Sequence, residues 1–230
     1  GWLLFGLEVT GSVAALAATA GEVDCLHQIV LSENRRTAQT LAPALHDLLQ
    51  QVRWAAGDVD CVAVANGPGS FTGLRIGVTA AKMWAYATAA DIVGVNTLAA
   101  LAYQAPATAL PLWTVMDAQR GEIFAARFDS TTGIQPNHCE VLVISSKSLL
   151  EELLPGEYIT GQATNKLQGH LPADVQVVDS ARWKPTAEGV GRIGIQVYES
   201  GHRDDVWQLV PNYFRPSAAE EKWAESRKDD

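Results

Sequence analysis

One stretch of this chain joins an apolar strand to a helix through a glycine-rich loop. The apolar run Cys61–Ala65 leads into Asn66-Gly67-Pro68-Gly69-Ser70, and an alanine-rich helical pattern follows from Leu74. A strand, a glycine loop and a helix in this order place backbone N–H groups and the positive end of a helix where an anion binds. The stretch therefore predicts an α/β fold, with either a phosphate-binding loop or a turn that places the helix.

The spacing of this loop differs from both common phosphate-binding motifs. In a G-x-G-x-x-G motif counted from Gly67, Thr72 stands where the last glycine belongs, and no Lys-Ser/Thr pair follows as in a P-loop. Ser70 is predicted to cap the helix, because Gly69-Ser70-Phe71 lacks the G-x-S-x-G pattern of a nucleophile elbow. If a nucleotide binds here, we expect it to contact Gly67, Gly69, Ser70 and Thr72.

Composition and charge exclude several classes of protein. The chain has 230 residues with 47% hydrophobic and 19% charged residues, which is typical of a globular protein with a core. A net charge of −9 argues against a broad basic surface for nucleic acid. Three widely separated cysteines without a C-x-x-C predict free thiols in a reducing compartment, and hence a cytoplasmic protein. No uninterrupted apolar run approaches the ~20 residues of a membrane helix, so we predict no membrane segment. The histidines are never four or five residues apart, so we predict no metal site, and without a nucleophile elbow we predict no catalytic residue.

The predicted elements fall into two similar halves, each with the order ββ(β)-α-β-α. Short strands that alternate with helices predict mixed sheets with helices on their faces. We therefore predict a duplicated unit, with an N-terminal subdomain (1–105), a C-terminal subdomain (106–215) and a charged tail (216–230). The first half has predicted strands at about 2–9, 12–20, 23–31, 60–65 and 92–95, and helices at about 40–53, at 74–89 and from Thr97. The second half has predicted strands at about 112–117, 122–129, 139–144, 158–160 and 175–178, and helices at about 146–153, 163–169 and 185–200.

Two charged positions lie where the predicted elements meet. Arg75 is in the first turn of a helix, where a cation opposes the helix dipole, so we expect a carboxylate or phosphate partner. Asp117 ends a strand before the turn Gln119-Arg120-Gly121. The position of Asp117 is typical of an ordinary hairpin turn. In the alternative interpretation, its carboxylate faces a cleft.

The first two helices predict an apolar surface for a partner. Leucines at 3.6-residue spacing follow the helix 40–53, and the helix 74–89 is apolar on more than one side. Core packing explains one face of the second helix, while Met83 and Tyr86 lie on another. The predicted partner interface comprises Leu41, Leu45, Leu48, Leu74, Arg75, Val78, Lys82, Met83 and Tyr86.

Three segments resemble a known family. The segment NGPGSFTGLRIG (66–77) closely resembles the signature of the TsaB (YeaZ) proteins of bacterial tRNA threonylcarbamoyladenosine synthesis. The segments DAQRGEIF (117–124) and PNYFRPSAAEEKW (211–223) are similar to two further family motifs, in the family's order. The resemblance implies an actin-like (ASKHA, ribonuclease H-like) fold of two subdomains.

The resemblance also implies a non-catalytic role. TsaB-like proteins pair through their first two helices with the transferase TsaD, in a complex that includes the ATPase TsaE. On this basis we expect a TsaD-like partner, contact with tRNA only through the complex, and a homodimer when the partner is absent. No cofactor is required, and weak ATP or ADP binding is expected only at a partner interface.

Several positions depart from the family pattern. TsaD-like proteins carry a metal-binding H-x-x-x-H after the strand here predicted at 92–95, whereas residues 96–101 contain no histidine, which argues against a peptidase. Glu8-Val9 replaces the usual Asp-Thr, and Met83 replaces a glycine. The alternative function is a nucleotide-binding enzyme of the actin and sugar-kinase class, with the glycine loop on phosphate and Asp117 or Glu8 near a metal.

Overall fold

The computed structural model describes residues 2–8, 12–19, 22–31, 37–129 and 139–215, and within them the chain forms two five-stranded mixed sheets. The predicted tail 216–230 lies outside these residues. The first half contains β1 (Trp2–Glu8), β2 (Ser12–Thr19), β3 (Glu22–Val30), α1 (Thr37–Val52), β4 (Cys61–Gly67), α2 (Phe71–Thr88), β5 (Asp91–Asn96) and α3 (Thr97–Tyr103). The second contains β6 (Leu112–Gln119), β7 (Glu122–Phe128), β8 (Leu142–Ser145), α4 (Ser146–Glu152), β9 (Tyr158–Thr160), α5 (Thr164–Leu167), β10 (Gln176–Val177) and α6 (Ala187–Glu199).

The two sheets have the same topology. The first sheet has the order β3-β2-β1-β4-β5, and the second has the corresponding order β8-β7-β6-β9-β10. In each sheet the first three strands are antiparallel, and the fourth and fifth are parallel to the first. The predicted duplication is therefore confirmed, and the doubled unit is the actin-like fold that the family resemblance implied.

The elements agree with the predicted ones apart from their ends. The helix predicted at 163–169 divides into α5 and a 3-10 turn at Gln168–His170, and the strand predicted at 175–178 shortens to β10. In the described part of the chain, no helix is long and apolar enough to cross a membrane. The three cysteines are free thiols, and burial raises the pKa of Cys139 to about 12.

The last helix of each half packs against strands of the other half. Helix α6 lies on the first sheet, while α3 contacts β6 and β7 of the second. A Cβ on Gly6 would lie 2.1 Å from the carbonyl oxygen of Ala187, and one on Gly194 would lie 2.3 Å from the Cβ of Ala63. Glycine at these positions lets α6 approach the sheet closely. The division into 1–105 and 106–215 stays a prediction, and α6 joins the two parts.

We expect Gly6→Ala to lower the free energy of unfolding by about 2 kcal/mol, because the added methyl group meets backbone atoms of α6 that cannot rotate away. Gly57→Ala is the matched control, since no atom lies within 4 Å of a Cβ there. Urea unfolding of both variants measures the difference. Equal stability of the two variants would contradict the close helix–sheet contact.

Candidate partner-docking surface

The first glycine of the loop lies against a later part of the same chain, while Ser70 and Thr72 are exposed. Gly67 has φ of +132°, and a Cβ there would lie 2.5 Å from the carbonyl oxygen of Asn212. The Asn212 N–H donates to the Asn66 carbonyl oxygen at 2.7 Å. The side chain of Ser70 accepts from the Gly73 N–H at 3.4 Å, which confirms Ser70 as the predicted cap of α2. The loop therefore starts α2 and holds a backbone segment against its glycine.

That segment, Val206–Arg215, is called the C-terminal strap below. Three side chains of α2 bind it. Lys82 Nζ donates to the carbonyl oxygens of Trp207 and Leu209 at 3.1 and 2.9 Å. Arg75 Nε donates to the Tyr213 hydroxyl at 2.9 Å, and the Phe71 ring stacks on the Tyr213 ring with centroids 4.6 Å apart. Tyr213 is thus a partner of Arg75 that the sequence analysis did not foresee.

The strap also reaches the second half of the chain. Arg215 donates to the carbonyl oxygen of Ala118 at 2.7 Å and pairs with Glu122 at 3.1 Å. Phe214 makes an edge contact with Phe124, with centroids 6.4 Å apart. The strap therefore connects α2 and the glycine loop to the β6–β7 turn.

Asp117 belongs to that turn. Its carboxylate accepts from the Gln119 N–H at 2.9 Å and from Lys166 Nζ at 2.7 Å. Burial raises the pKa of Asp117, but the hydrogen bonds from Lys166 and the Gln119 N–H outweigh it, so the net pKa is lowered. These contacts support the hairpin interpretation of Asp117.

The structure divides the nine predicted interface residues into two groups. Five side chains are buried in the core of the chain itself, so in this conformation they offer no surface to a partner: Leu41, Leu45, Leu48, Leu74 and Val78. Leu74, for example, is 1% exposed. In contrast, Met83 and Tyr86 are 67% and 68% exposed, Arg75 is exposed and Lys82 is partly buried. Contact of these five residues with a partner stays a prediction, and it would require side chains that now belong to the core to become exposed.

The exposed positions of α2 form a single stripe along the helix. Thr72, Arg75, Thr79, Met83 and Tyr86 follow one another at intervals of three or four residues and are all exposed. Such spacing places side chains on one face. The apolar end of this α2 stripe is formed by Met83 and Tyr86, so the position where the family has glycine enlarges the apolar surface.

Two strap residues that sequence reasoning missed continue the apolar end. The rings of Tyr86 and Trp207 make an edge contact with centroids 5.2 Å apart. Trp207 is 70% exposed, and Val210 is also exposed. An exposed tryptophan beside an exposed tyrosine is uncommon on a surface that meets only water, and such residues are enriched in protein interfaces. The sequence signal was an apolar segment, WQLV, without helical or strand periodicity.

A cleft of about 800 Å³ lies on the other side of the strap. Its lining includes Asn66, Asn96, Cys139, His202 and Phe214. None of the four residues predicted to contact a nucleotide (Gly67, Gly69, Ser70 and Thr72) is among the residues that line it. Across the part of the chain that is described, no group of three or more His, Cys, Asp or Glu side chains is placed to hold a metal ion. The predicted nucleotide contacts therefore lie outside the lining of this cleft, and nucleotide binding at the loop stays a prediction.

Comparisons with known proteins agree with the doubled fold. The family model described as TsaD, tRNA N6-adenosine threonylcarbamoyltransferase, matches residues 25–166. The solved structure of YeaZ from Pseudomonas aeruginosa superposes with a TM-score of 0.73 and 23% identity, over 93% of this chain and 100% of that chain. A second Pseudomonas aeruginosa structure, of an uncharacterized protein with similarity to peptidase YEAZ, has a TM-score of 0.75 and 21% identity over 94% and 100%. The family model therefore assigns the chain to the TsaD class, and the two solved structures share its fold.

Sequence relatives identify the family within that class. The tRNA threonylcarbamoyladenosine biosynthesis protein TsaB of Bacillus subtilis (strain 168) is 30% identical over 193 residues, which is 81% of this chain and 82% of the relative. TsaB of Escherichia coli (strain K12) is 28% identical over 195 residues, or 82% and 84%. The chain belongs to the TsaB family.

Proposed function

We propose that this chain is a non-catalytic subunit in the synthesis of threonylcarbamoyladenosine on tRNA, and that it docks a TsaD-like transferase with the α2 stripe. One observation carries the proposal: Met83 and Tyr86 are more than half exposed on a helix whose opposite face is fully occupied by core packing. Burying two such side chains contributes about 1.5–3 kcal/mol each. That is enough for a specific contact when the surrounding surface fits.

The end of β5 supports a structural role for the chain. TsaD-like proteins place metal-binding histidines in the helix that follows this strand. Here Asn96 ends β5, and its side-chain oxygen accepts from the N–H groups of Leu98 and Ala99 at 2.8 and 3.4 Å. The helix that follows, α3, is buried along residues 97–102. Asn96 is therefore the N-cap of α3, a helix that is buried in the protein. Under the proposal, the ATPase TsaE and tRNA meet the chain only through the complex.

We expect the double variant Met83→Ala/Tyr86→Ala to weaken binding of the same organism's TsaD-like subunit by about 100-fold, since two anchor side chains are removed. Co-expression pull-down followed by calorimetry measures the affinity. Leu154→Ala is the matched control, because Leu154 is an exposed apolar residue of the second half. The proposal fails if the double variant binds as tightly as this control.

The nucleotide-enzyme alternative has its own test. Calorimetry of the isolated chain with ATP and Mg²⁺ is expected to show no micromolar binding, because Asn212 lies against Gly67 in the loop. Tight ATP binding together with ATP hydrolysis by the isolated chain would replace the proposed function with the enzyme hypothesis. Gel filtration of the same sample tests the predicted homodimer.

A further inference from the structure

The strap holds its shape through contacts at its start and along α2. The side-chain carboxylate of Asp205 accepts from the Trp207 backbone N–H at 2.7 Å. The backbone carbonyl oxygen of Asp205 accepts from the Gln208 and Leu209 N–H groups at 3.0 and 2.9 Å. This turn presents Trp207 outward. Lys82 then fixes the turn to α2 through the carbonyl oxygens of Trp207 and Leu209. An exposed aromatic side chain is thus held in one place by backbone contacts.

The charge of this region differs from that of the whole chain. The chain carries a net charge of −9, yet α2 and the strap contain Arg75, Lys82 and Arg215 and no aspartate or glutamate. Arg215 is paired with Glu122, Lys82 is bound to strap carbonyl oxygens, and the exposed Asp205 adjoins the strap. The cation of the apolar α2 stripe itself is therefore Arg75. Opposite charge on a partner favours association, whereas a basic partner surface would be repelled.

We propose that the strap is part of the docking surface, that Trp207 and Val210 contact the partner beside Met83 and Tyr86, and that Lys82 is the positioning residue that holds them there. This inference rests on the proposed function and extends it from one helix to a composite surface. The partner face that fits is an apolar helix surface on the TsaD-like subunit, with a carboxylate at the edge that meets Arg75. Trp207 supplies the largest exposed ring of the surface and extends it beyond the reach of α2.

The first test removes the strap side chains. Trp207→Ala is expected to weaken binding of the TsaD-like subunit by about tenfold or more, and Val210→Ala by about threefold, as for central and peripheral interface residues. Both side chains are exposed, so the midpoint of thermal unfolding of the isolated chain should stay at the value of the Leu154→Ala control. If Trp207→Ala binds normally while Met83→Ala/Tyr86→Ala does not, the strap lies outside the surface and the proposed function stands. If neither variant loses affinity, the proposed function itself is wrong.

The second test asks whether Lys82 positions the strap for binding or only stabilises the fold. Lys82→Met keeps the aliphatic stem but removes both hydrogen bonds, so hydrogen exchange in 206–212 should accelerate and affinity should fall by about tenfold. Lys82→Arg keeps a donor group that can reach both carbonyl oxygens and is expected to restore most of the affinity. Faster exchange with unchanged affinity would assign Lys82 a structural role only and overturn the positioning role.

The third test addresses the charge of the partner. Raising the salt concentration screens exposed charges, so affinity should fall between 50 and 500 mM salt on the order of tenfold. Arg75→Gln is expected to reduce that salt dependence while Met83→Ala leaves it unchanged. An affinity that is independent of salt would overturn the inference of an acidic partner edge.

Discussion

Glu157→Leu is expected to lower the free energy of unfolding by about 4 kcal/mol, the larger of two changes that break one buried network. The carboxylate of Glu157 is 3% exposed and accepts four contacts. Arg127 reaches Oε1 through Nε at 2.8 Å and Nη2 at 2.7 Å, while Trp113 Nε1 and the Leu154 N–H reach Oε2 at 2.8 and 3.0 Å. Leucine fills a similar volume but leaves the two neutral donors without an acceptor, and Trp113 is too buried to reach water.

Arg127→Met should lower the free energy of unfolding by less, about 2 kcal/mol. The Arg127 side chain is 38% exposed, so water can replace the guanidinium at Oε1 of Glu157. Once the carboxylate is gone Arg127 has no role at this site, so the double variant should be no less stable than Glu157→Leu alone. Urea unfolding of the four proteins gives the coupling energy directly. Lys147→Met, at the exposed Lys147–Glu151 pair, is the control and should change stability by less than about 0.5 kcal/mol. Additive costs would contradict a shared network.

The order of strands and helices was predictable because the polarity pattern of each half is local. Alternating apolar runs and helical stripes identify each element within a window of about a dozen residues. The repeat of that order then predicted a duplicated unit, and the matching sheet orders confirm it. The packing of α6 on the first sheet was not predictable in this way. It depends on Gly6 and Gly194, whose close contacts join residues far apart in the chain.

The same limit explains why five of the nine predicted interface residues lie in the core of the isolated chain. A leucine stripe such as Leu41, Leu45 and Leu48 indicates which face of a helix is apolar, but it does not indicate whether a sheet or a partner covers it. The structure assigns that face to the core. For α2, the second apolar side was predicted from Met83 and Tyr86, and both are exposed. The apolar face of a helix is determined by residues close in sequence, whereas the element that covers this face comes from a distant part of the chain or from a partner.

The strap shows this most clearly. Its hydrogen bonds with α2 join residues 125 to 138 positions apart, and its sequence has no helical or strand period. In the sequence, the segment 211–223 is notable only for its similarity to a family motif. The position of Tyr213 against Arg75, and of Asn212 against Gly67, became visible only in the folded chain. The first glycine of a loop with the composition of a phosphate-binding loop can therefore serve to pack the protein's own backbone.

Leu74→Glu is expected to lower the free energy of unfolding by about 4 kcal/mol or more and to prevent stable folding of the chain. Leu74 is 1% exposed and belongs to the main core cluster, so the new carboxylate would be buried among apolar side chains. A glutamate in the first turn of a helix gains about 0.3–1 kcal/mol from the helix dipole, which is too small to offset that cost. Far-ultraviolet circular dichroism during urea unfolding measures the loss.

Met83→Glu makes the same kind of change on the exposed side of the same helix. Met83 is 67% exposed, so its replacement should change the stability of the isolated chain by less than about 0.5 kcal/mol. Binding of the TsaD-like subunit should nevertheless fall, because the new carboxylate would be buried without a partner against an apolar surface. If Leu74→Glu abolishes the complex, the result shows only that the core has been disrupted. If Met83→Glu abolishes the complex while the chain still unfolds at the normal urea concentration, the result shows that the surface at Met83 contacts the partner. A folded Leu74→Glu variant that no longer binds would instead require Leu74 to leave the core when the partner docks.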